Sequence, residues 1–413
     1  MKRFGGLDRG AGLAATLLTT SSLLVVPCHA QSVPPGAAPA PIAPYGVPAE
    51  GPSGVVQPYG ILDAGVRHFD QASAAGSLTQ FNSGLNTSRF GLRGKEVIDS
   101  DWQASFRLES GFNPGTGAQS NSTSLFDRTA AVGLRWKSIE WKAGRQEGFG
   151  YELAANGTTD PLQMALNIPN YSSPAAAASK APILGANPLQ GLYSYTYGQL
   201  RFNNAIRLST AVDGFAAGLL YALGGVAGNA GAASVRAGHL GWHGGVAQLE
   251  AIFQQSEDLS GHHSTLYVLA GTVNANAWKL QAGVHDLRIG AGFNSTNLGN
   301  GASGSGILGT STTVATVLAT AKEDFTFRVT DLGATWTLAP GRLLTFAAYK
   351  SQTQGAGAGN DIDLVALGKW YLGPRVCIYV EADYENSSGR LAIKPVSGST
   401  LATAYMTGIN LRF

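Results

Sequence analysis

The stretch 101–110 reads DWQASFRLES. Taken two by two, Trp102, Ala104, Phe106 and Leu108 share one face, and Gln103, Ser105, Arg107 and Glu109 share the other. That alternation predicts a β-strand. The same texture recurs from Tyr59 to the end of the chain, in segments divided by Gly, Asn, Ser and Asp. Candidate strands fall at 58–68, 87–95, 101–112, 127–137, 139–147, 199–208, 213–222, 233–243, 246–256, 263–273, 276–287, 325–337, 342–352, 361–371, 376–386 and 404–413, sixteen in all. Most are close to the ~10 residues that a tilted strand needs to cross a bilayer.

Each candidate has an oily face and a polar one. In 276–287, Trp278, Leu280, Ala282 and Val284 oppose Lys279, Gln281, Gly283 and His285. In 325–337, Phe325, Phe327, Val329 and Asp331 oppose Thr326, Arg328, Thr330 and Leu332, so the oily side carries the three apolar residues at the strand's start. In 404–413, Tyr405, Thr407, Ile409, Leu411 and Phe413 oppose Met406, Gly408, Asn410 and Arg412. Aromatic residues gather near strand ends, as they do in the interface girdles of membrane barrels.

The connections alternate between tight and long. Tight ones include GKEVIDSD (94–101), WKSIE (136–140), VDG (212–214), WHGG (242–245), TLAPGR (337–342) and YLGPR (371–375). Long ones span 69–86, 113–126, 148–198, 288–324 and 387–403. Short turns at one end and long loops at the other mark an outer-membrane barrel. The segment 148–198 is too long for a mere connection and is expected to carry function.

Composition sets the direction of the faces. Charged residues are only 13% of the chain, against about a quarter in ordinary soluble domains. A soluble sandwich has fewer strands, with its charged face turned to water. Sixteen strands and low charge instead turn the oily face to lipid and the polar face to a lumen.

The N-terminus agrees with export. Lys2, Arg3 and Arg9 precede an apolar run at 12–26, and PCHA offers a cleavage site after Ala30. Residues 1–30 therefore read as a signal peptide. Residues 31–57 are dense in proline, alanine and glycine and read as a linker or tail. The barrel is expected over 58–413. Beyond residue 30 no run is apolar enough for a spanning helix. Removing 1–30 leaves basic and acidic residues in balance, and no basic tract suggests nucleic acid. Cys377 is then the one cysteine, which excludes an intramolecular disulfide.

Several ordered motifs resemble the general porins of Gram-negative bacteria. YGILDAGV (59–66) resembles their first strand, and SRFGLRGKEVIDSDWQASFRLESGF (88–112) the second and third. LFDRTAAVGL (125–134), AGR (143–145) and LRFNNAIRLSTAVDGFAAGLLYA (200–222) follow at family spacing, and the chain ends in INLRF. EVIDSD replaces the usual Glu-Asp-Leu-Gly turn, the extension at 31–57 is unusual, and the 148–198 loop is poor in acids.

The resemblance implies a 16-stranded antiparallel transmembrane β-barrel with an inward-folded constriction loop at 148–198. It implies a passive channel for ions and small hydrophilic solutes, assembled as a homotrimer in outer-membrane lipid and lipopolysaccharide. It calls for no cofactor and no metal. The terminal Phe413 corresponds to the residue read by the barrel-assembly machinery. A ladder of wall arginines would face acids on the loop and create a transverse field. By motif the ladder takes Arg89, Arg128 and Arg201. By strand parity Arg93 and Arg107 join it, with Glu109 beside Arg107 on the same face. Arg128 shares parity with Val132 and Leu134, so it faces the lumen only if it lies beyond the regular strand. Among the loop acids, Asp160 is the first candidate to face the ladder and Glu152 the second. Scarce acids and many arginines predict anion preference.

Two other classes remain to be weighed. His239 and His243 share a strand face about 13 Å apart, a spacing that suggests metal on a helix but not on a strand. No grouping of Ser, His and acid has catalytic spacing, so an enzyme is not expected. A plugged barrel acting as an adhesin through 148–198 and 288–324 is the alternative to a channel.

Overall fold

The computed structural model describes residues 53–73, 76–120, 124–155, 157–162, 201–294, 323–355, 358–389 and 401–413. The signal peptide, most of the proline-rich segment, and residues 163–200, 295–322 and 390–400 of the long loops lie outside the described residues.

The chain forms β1 (Val55–Ser73), β2 (Gly76–Asn82), β3 (Arg89–Val97), β4 (Trp102–Gly111), β5 (Thr129–Trp136), β6 (Ile139–Glu147), α1 (Phe149–Ala155), β7 (Arg201–Val212) and β8 (Phe215–Ala222). There follow β9 (Val235–His243), β10 (Ala247–Glu257), β11 (His263–Ala275), β12 (Trp278–Ile289), β13 (Phe325–Ala339), β14 (Arg342–Gln354), β15 (Gly359–Gly373), β16 (Val376–Gly389) and β17 (Leu401–Arg412). All neighbours are antiparallel, and β1 closes the ring on β17, with Ile61 opposite Arg412. The last residue completes the seam. Phe413 and Gly60 exchange two backbone hydrogen bonds of 3.0 and 3.1 Å.

Each of the sixteen expected segments is a strand. The additional β2 lies within the expected loop 69–86, and β1 begins at Val55, inside the expected linker. The barrel nevertheless has sixteen positions, because β2 and β3 share one. The outer half of β1 pairs with β2 (Gly65 opposite Asn82), and its other half pairs with β3 (Ile61 opposite Arg89). Asp63 holds the break between them. Its carboxylate accepts from the backbone N–H of Gly84 (2.7 Å) and Asn86 (3.1 Å), from the Tyr379 hydroxyl (2.7 Å) and from Asn410 Nδ2 (2.6 Å). A buried carboxylate with this many donors fixes the strand junction across the seam.

Side-chain exposure settles which way the faces point. Val132, Leu219, Leu240, Leu269 and Leu332 are each at least 60% exposed on the outer wall. No watery exterior favours so many bare aliphatic side chains in register, and lipid does. All seven tryptophans (102, 136, 141, 242, 278, 336 and 370) lie at the short-turn ends of their strands. Trp278 stacks on Trp336 at 5.4 Å and Trp102 on Trp141 at 6.4 Å, forming a belt at one interface.

One face is opposite to expectation. On β13, Phe327, Val329 and Asp331 are buried inward, while Arg328 and Leu332 point out. The register with β12 decides this, since Val329 lies opposite inward His285 and Asp331 opposite inward Gly283. Arg328 remains satisfied at the long-loop end of the outer wall through Asp286, 2.8 Å from its Nε.

Candidate functional site

The inner wall concentrates arginines on β3 to β7, close to the long-loop ends. Glu109 is their centre. It is fully buried, and its carboxylate accepts from Arg107 Nη2 at 2.7 Å, Arg128 Nε at 2.6 Å and the Tyr59 hydroxyl at 2.9 Å, with Arg89 Nε at 3.6 Å. The Tyr59 ring lies under two guanidiniums, Arg93 at 5.1 Å and Arg107 at 5.7 Å. The parity of β3 and β4 places Arg89, Arg93, Arg107 and Glu109 on this wall. Arg128 precedes β5 and leaves the strand's alternation. Its backbone N–H bonds the Glu109 carbonyl at 3.1 Å, and its side chain turns inward.

The row continues through residues that sequence periodicity misses. Parity from Trp141 and Ala143 would send Arg145 and Glu147 toward lipid. Gly144 prevents that. It adopts a φ of 119°, a Cβ there would stand 2.2 Å from the Ala130 carbonyl oxygen, and the β6–β7 register shifts between Gly144 and Gln146. This bulge turns both side chains to the lumen. Glu147 then meets Arg201 at 3.2 Å, and Arg145 Nε donates to the Asp127 carbonyl at 2.6 Å. Arg207 pairs with Glu152 on α1 and lies 4.3 Å over the Phe149 ring. Among the described residues, these seven guanidiniums outnumber the carboxylates of Glu109, Glu147, Glu152 and Asp127 beside them.

The described part of the loop, 148–162, runs inside this wall. Phe149, Ala154 and Leu162 are buried, and Phe149 packs 5.4 Å from the His239 ring. Tyr151 lies 4.8 Å beneath Arg201. Burial pushes its phenol up, but Arg201, Arg128 and Arg89 outweigh burial and bring it down to about 8. Burial likewise opposes ionisation of Glu152, and Arg207 with Lys142 holds it below the ordinary carboxylate value.

Beyond α1 the segment reaches other strands. The Gly157 carbonyl accepts from Lys279 Nζ at 2.6 Å and Gln281 Nε2 at 2.5 Å, both on β12. Pro161 lies against Gly333 of β13, where a Cβ would approach within 2.0 Å. Asp160 accepts the Tyr349 hydroxyl of β14 at 2.6 Å. In the ring of sixteen positions β14 is eight from β6, where the segment begins. Asp160 is therefore the anchor on the far wall. Glu152 is the loop acid paired with the arginine row, which reverses the expected order of the two. The remainder of 148–198, beyond the stretch 148–162 given above, lies outside the described residues.

Two more groups escaped sequence reading. His239 and His243 both reach one carboxylate, Glu250 of β10, at 2.6 Å each. Distance along one strand could not show that, because the partner comes from the next strand. Among the described residues, β15 and β16 also carry inward Asp361, Asp363, Glu381, Asp383 and Glu385. The inner wall thus carries acids of its own on β15 and β16, where loop acids alone were expected.

A closed antiparallel barrel with an apolar exterior, a tryptophan belt and a charged interior is a transmembrane β-barrel of the outer-membrane type. The family described as Gram-negative porin matches residues 14–390, and the chain belongs to it. An outer membrane porin protein of Bordetella pertussis is 36% identical over 121 residues, which are 25% of this chain and 30% of that protein. The chain's match thus spans under a third of that relative. Among solved structures, an anion-selective porin from Comamonas acidovorans aligns with a TM-score of 0.64 and 16% identity, covering 87% of this chain and 99% of that one. A trimer form of OmpT from Vibrio cholerae aligns with a TM-score of 0.59 and 10% identity, covering 88% of this chain and 100% of that one. Family and barrel place the chain in the outer membrane of a Gram-negative cell.

Proposed function

We propose that this chain is a non-enzymatic, water-filled porin through which ions and small hydrophilic solutes diffuse passively, with a preference for anions. The observation that carries the preference is the excess of arginines over carboxylates where 148–162 lies against the wall. A solute passing there meets fixed guanidiniums in a confined space, and such a site lowers the free energy of an anion relative to a cation. The segment 148–162 is the near part of a constriction loop within 148–198. The name of the Comamonas acidovorans porin agrees with the reading.

The same reading covers processing and assembly. Residues 1–30 are a cleaved signal, 31–54 a linker, and Phe413 the signal for barrel assembly. A homotrimer in lipopolysaccharide-containing membrane is its working form, in line with the trimer form of the Vibrio cholerae protein. Reversal potentials in a KCl gradient test the preference, and cation preference would refute it. Liposome swelling with small sugars tests the channel itself. Absence of swelling would replace it with the plugged adhesin.

A further inference from the structure

We propose that Asp361, Asp363 and Glu385 form a divalent-cation site on the lumen wall, with calcium as the favoured ion. Asp361 and Asp363 are successive inward positions of β15, and Glu385 of β16 lies directly opposite Asp363 in the strand register. One carboxylate oxygen from each lies within 4.8 Å of the others. The three residues are 1%, 0% and 2% exposed.

A second observation points to a ligand. Neither carboxylate oxygen of Asp363 has a hydrogen-bond donor, and no side chain donates to Asp361. Asp383, the next inward residue of β16 and also buried, has no side-chain donor either. The neighbouring Glu381 shows the usual remedy, since Arg67 Nη2 meets it at 3.0 Å. A buried carboxylate without donor or countercharge costs several kcal/mol, of order that for any uncompensated buried ion. A cation bound between the strands supplies positive charge to Asp361 and Asp363 at once.

The ligand set selects the ion. Carboxylate oxygens suit hard divalent cations. Calcium accepts oxygens at about 2.3–2.6 Å, so opposite ligands stand about 5 Å apart, whereas magnesium demands an octahedron about 4 Å across. Calcium also tolerates irregular arrangements of about six to eight oxygens, which suits carboxylates fixed on two hydrogen-bonded strands. Asp383 then serves as an outer carboxylate. A bound calcium would cancel two of the four negative charges of this patch.

The test is calorimetric titration of the full-length, detergent-solubilised protein, stripped with EGTA, with CaCl2 alone and with MgCl2 alone. The expected result is one saturable calcium site per chain, tighter than for magnesium. Asp361→Asn and Asp363→Asn, each made separately, should weaken it at least tenfold, while Asp286→Asn on the outer wall should leave it unchanged. Heat-modifiable gel mobility verifies that each variant is folded, and if one is not, the other decides. Absence of a saturable site, or a site that survives the substitution in a folded variant, overturns the proposal. That includes the case in which protons alone neutralise the acids. Magnesium binding as tightly as calcium overturns the ion assignment. The readout is independent of conductance, so failure here leaves the channel reading untouched.

Discussion

Replacing Glu109 by Gln removes the negative charge at the centre of the arginine cluster while keeping shape and an acceptor oxygen. Three guanidiniums, of Arg89, Arg107 and Arg128, then surround a neutral amide. The local charge rises by one unit. For an ion passing about 6 Å away in water, one unit charge is worth about 0.7 kcal/mol, and 0.1 M salt reduces this to about 0.4 kcal/mol. The effect raises anions and lowers cations by about twofold each, so the anion-to-cation permeability ratio should rise about fourfold in 0.1 M KCl. In 1 M KCl the Debye length is about 3 Å and the difference should nearly vanish. Reversal potentials of single-variant planar bilayers at both ionic strengths measure this. A ratio unchanged in dilute salt would refute the placement of Glu109 beside the ion path. A shift that persists at 1 M would show rearrangement of the cluster instead of lost charge.

Anion preference should also fall as pH rises through about 8, where Tyr151 loses its proton beside Arg201, Arg128 and Arg89. The phenolate adds negative charge next to those arginines and to Glu147, so the sign is a loss of preference above that pH, and Tyr151→Phe should flatten the reversal-potential profile between pH 7 and 9 in which it appears. Phe106→Lys should cost about 2–4 kcal/mol of membrane stability, because the side chain lies on the outer wall near mid-strand, opposite exposed Val132; the folded, heat-modifiable fraction on a gel should drop, and wild-type levels would contradict the orientation. Gly333→Ala places a methyl group against Pro161, within 2.0 Å of its Cβ, so the crossing segment must shift. Single-channel conductance should change measurably, and an identical trace would mean that 157–162 does not narrow the path.

Much of this protein was legible in its residues. Strict alternation fixed where strands lie, since a side-chain period of two has few other physical causes. On DWQASFRLES it also gave the correct direction, with Arg107 and Glu109 inside and Phe106 outside, because a membrane barrel inverts the soluble arrangement. Periodicity alone cannot say which of two mixed faces is the inner one. On β13 both faces carry apolar residues, and only hydrogen-bond register with β12 turned Phe327 and Val329 inward and Arg328 out. Bulges are similarly silent. Gly144 shifts the parity of β6 and delivers Arg145 and Glu147 to the lumen, which the alternation before it contradicts. Contacts between distant strands are decided by closure of the ring. It brings Asp160 to Tyr349, Glu250 to two histidines, and Glu385 to Asp361 and Asp363. The sequence determined a membrane barrel with an arginine-rich interior, because composition and period act locally. The tertiary structure decided which charges meet, because that depends on strand register and on the path of a loop across the lumen.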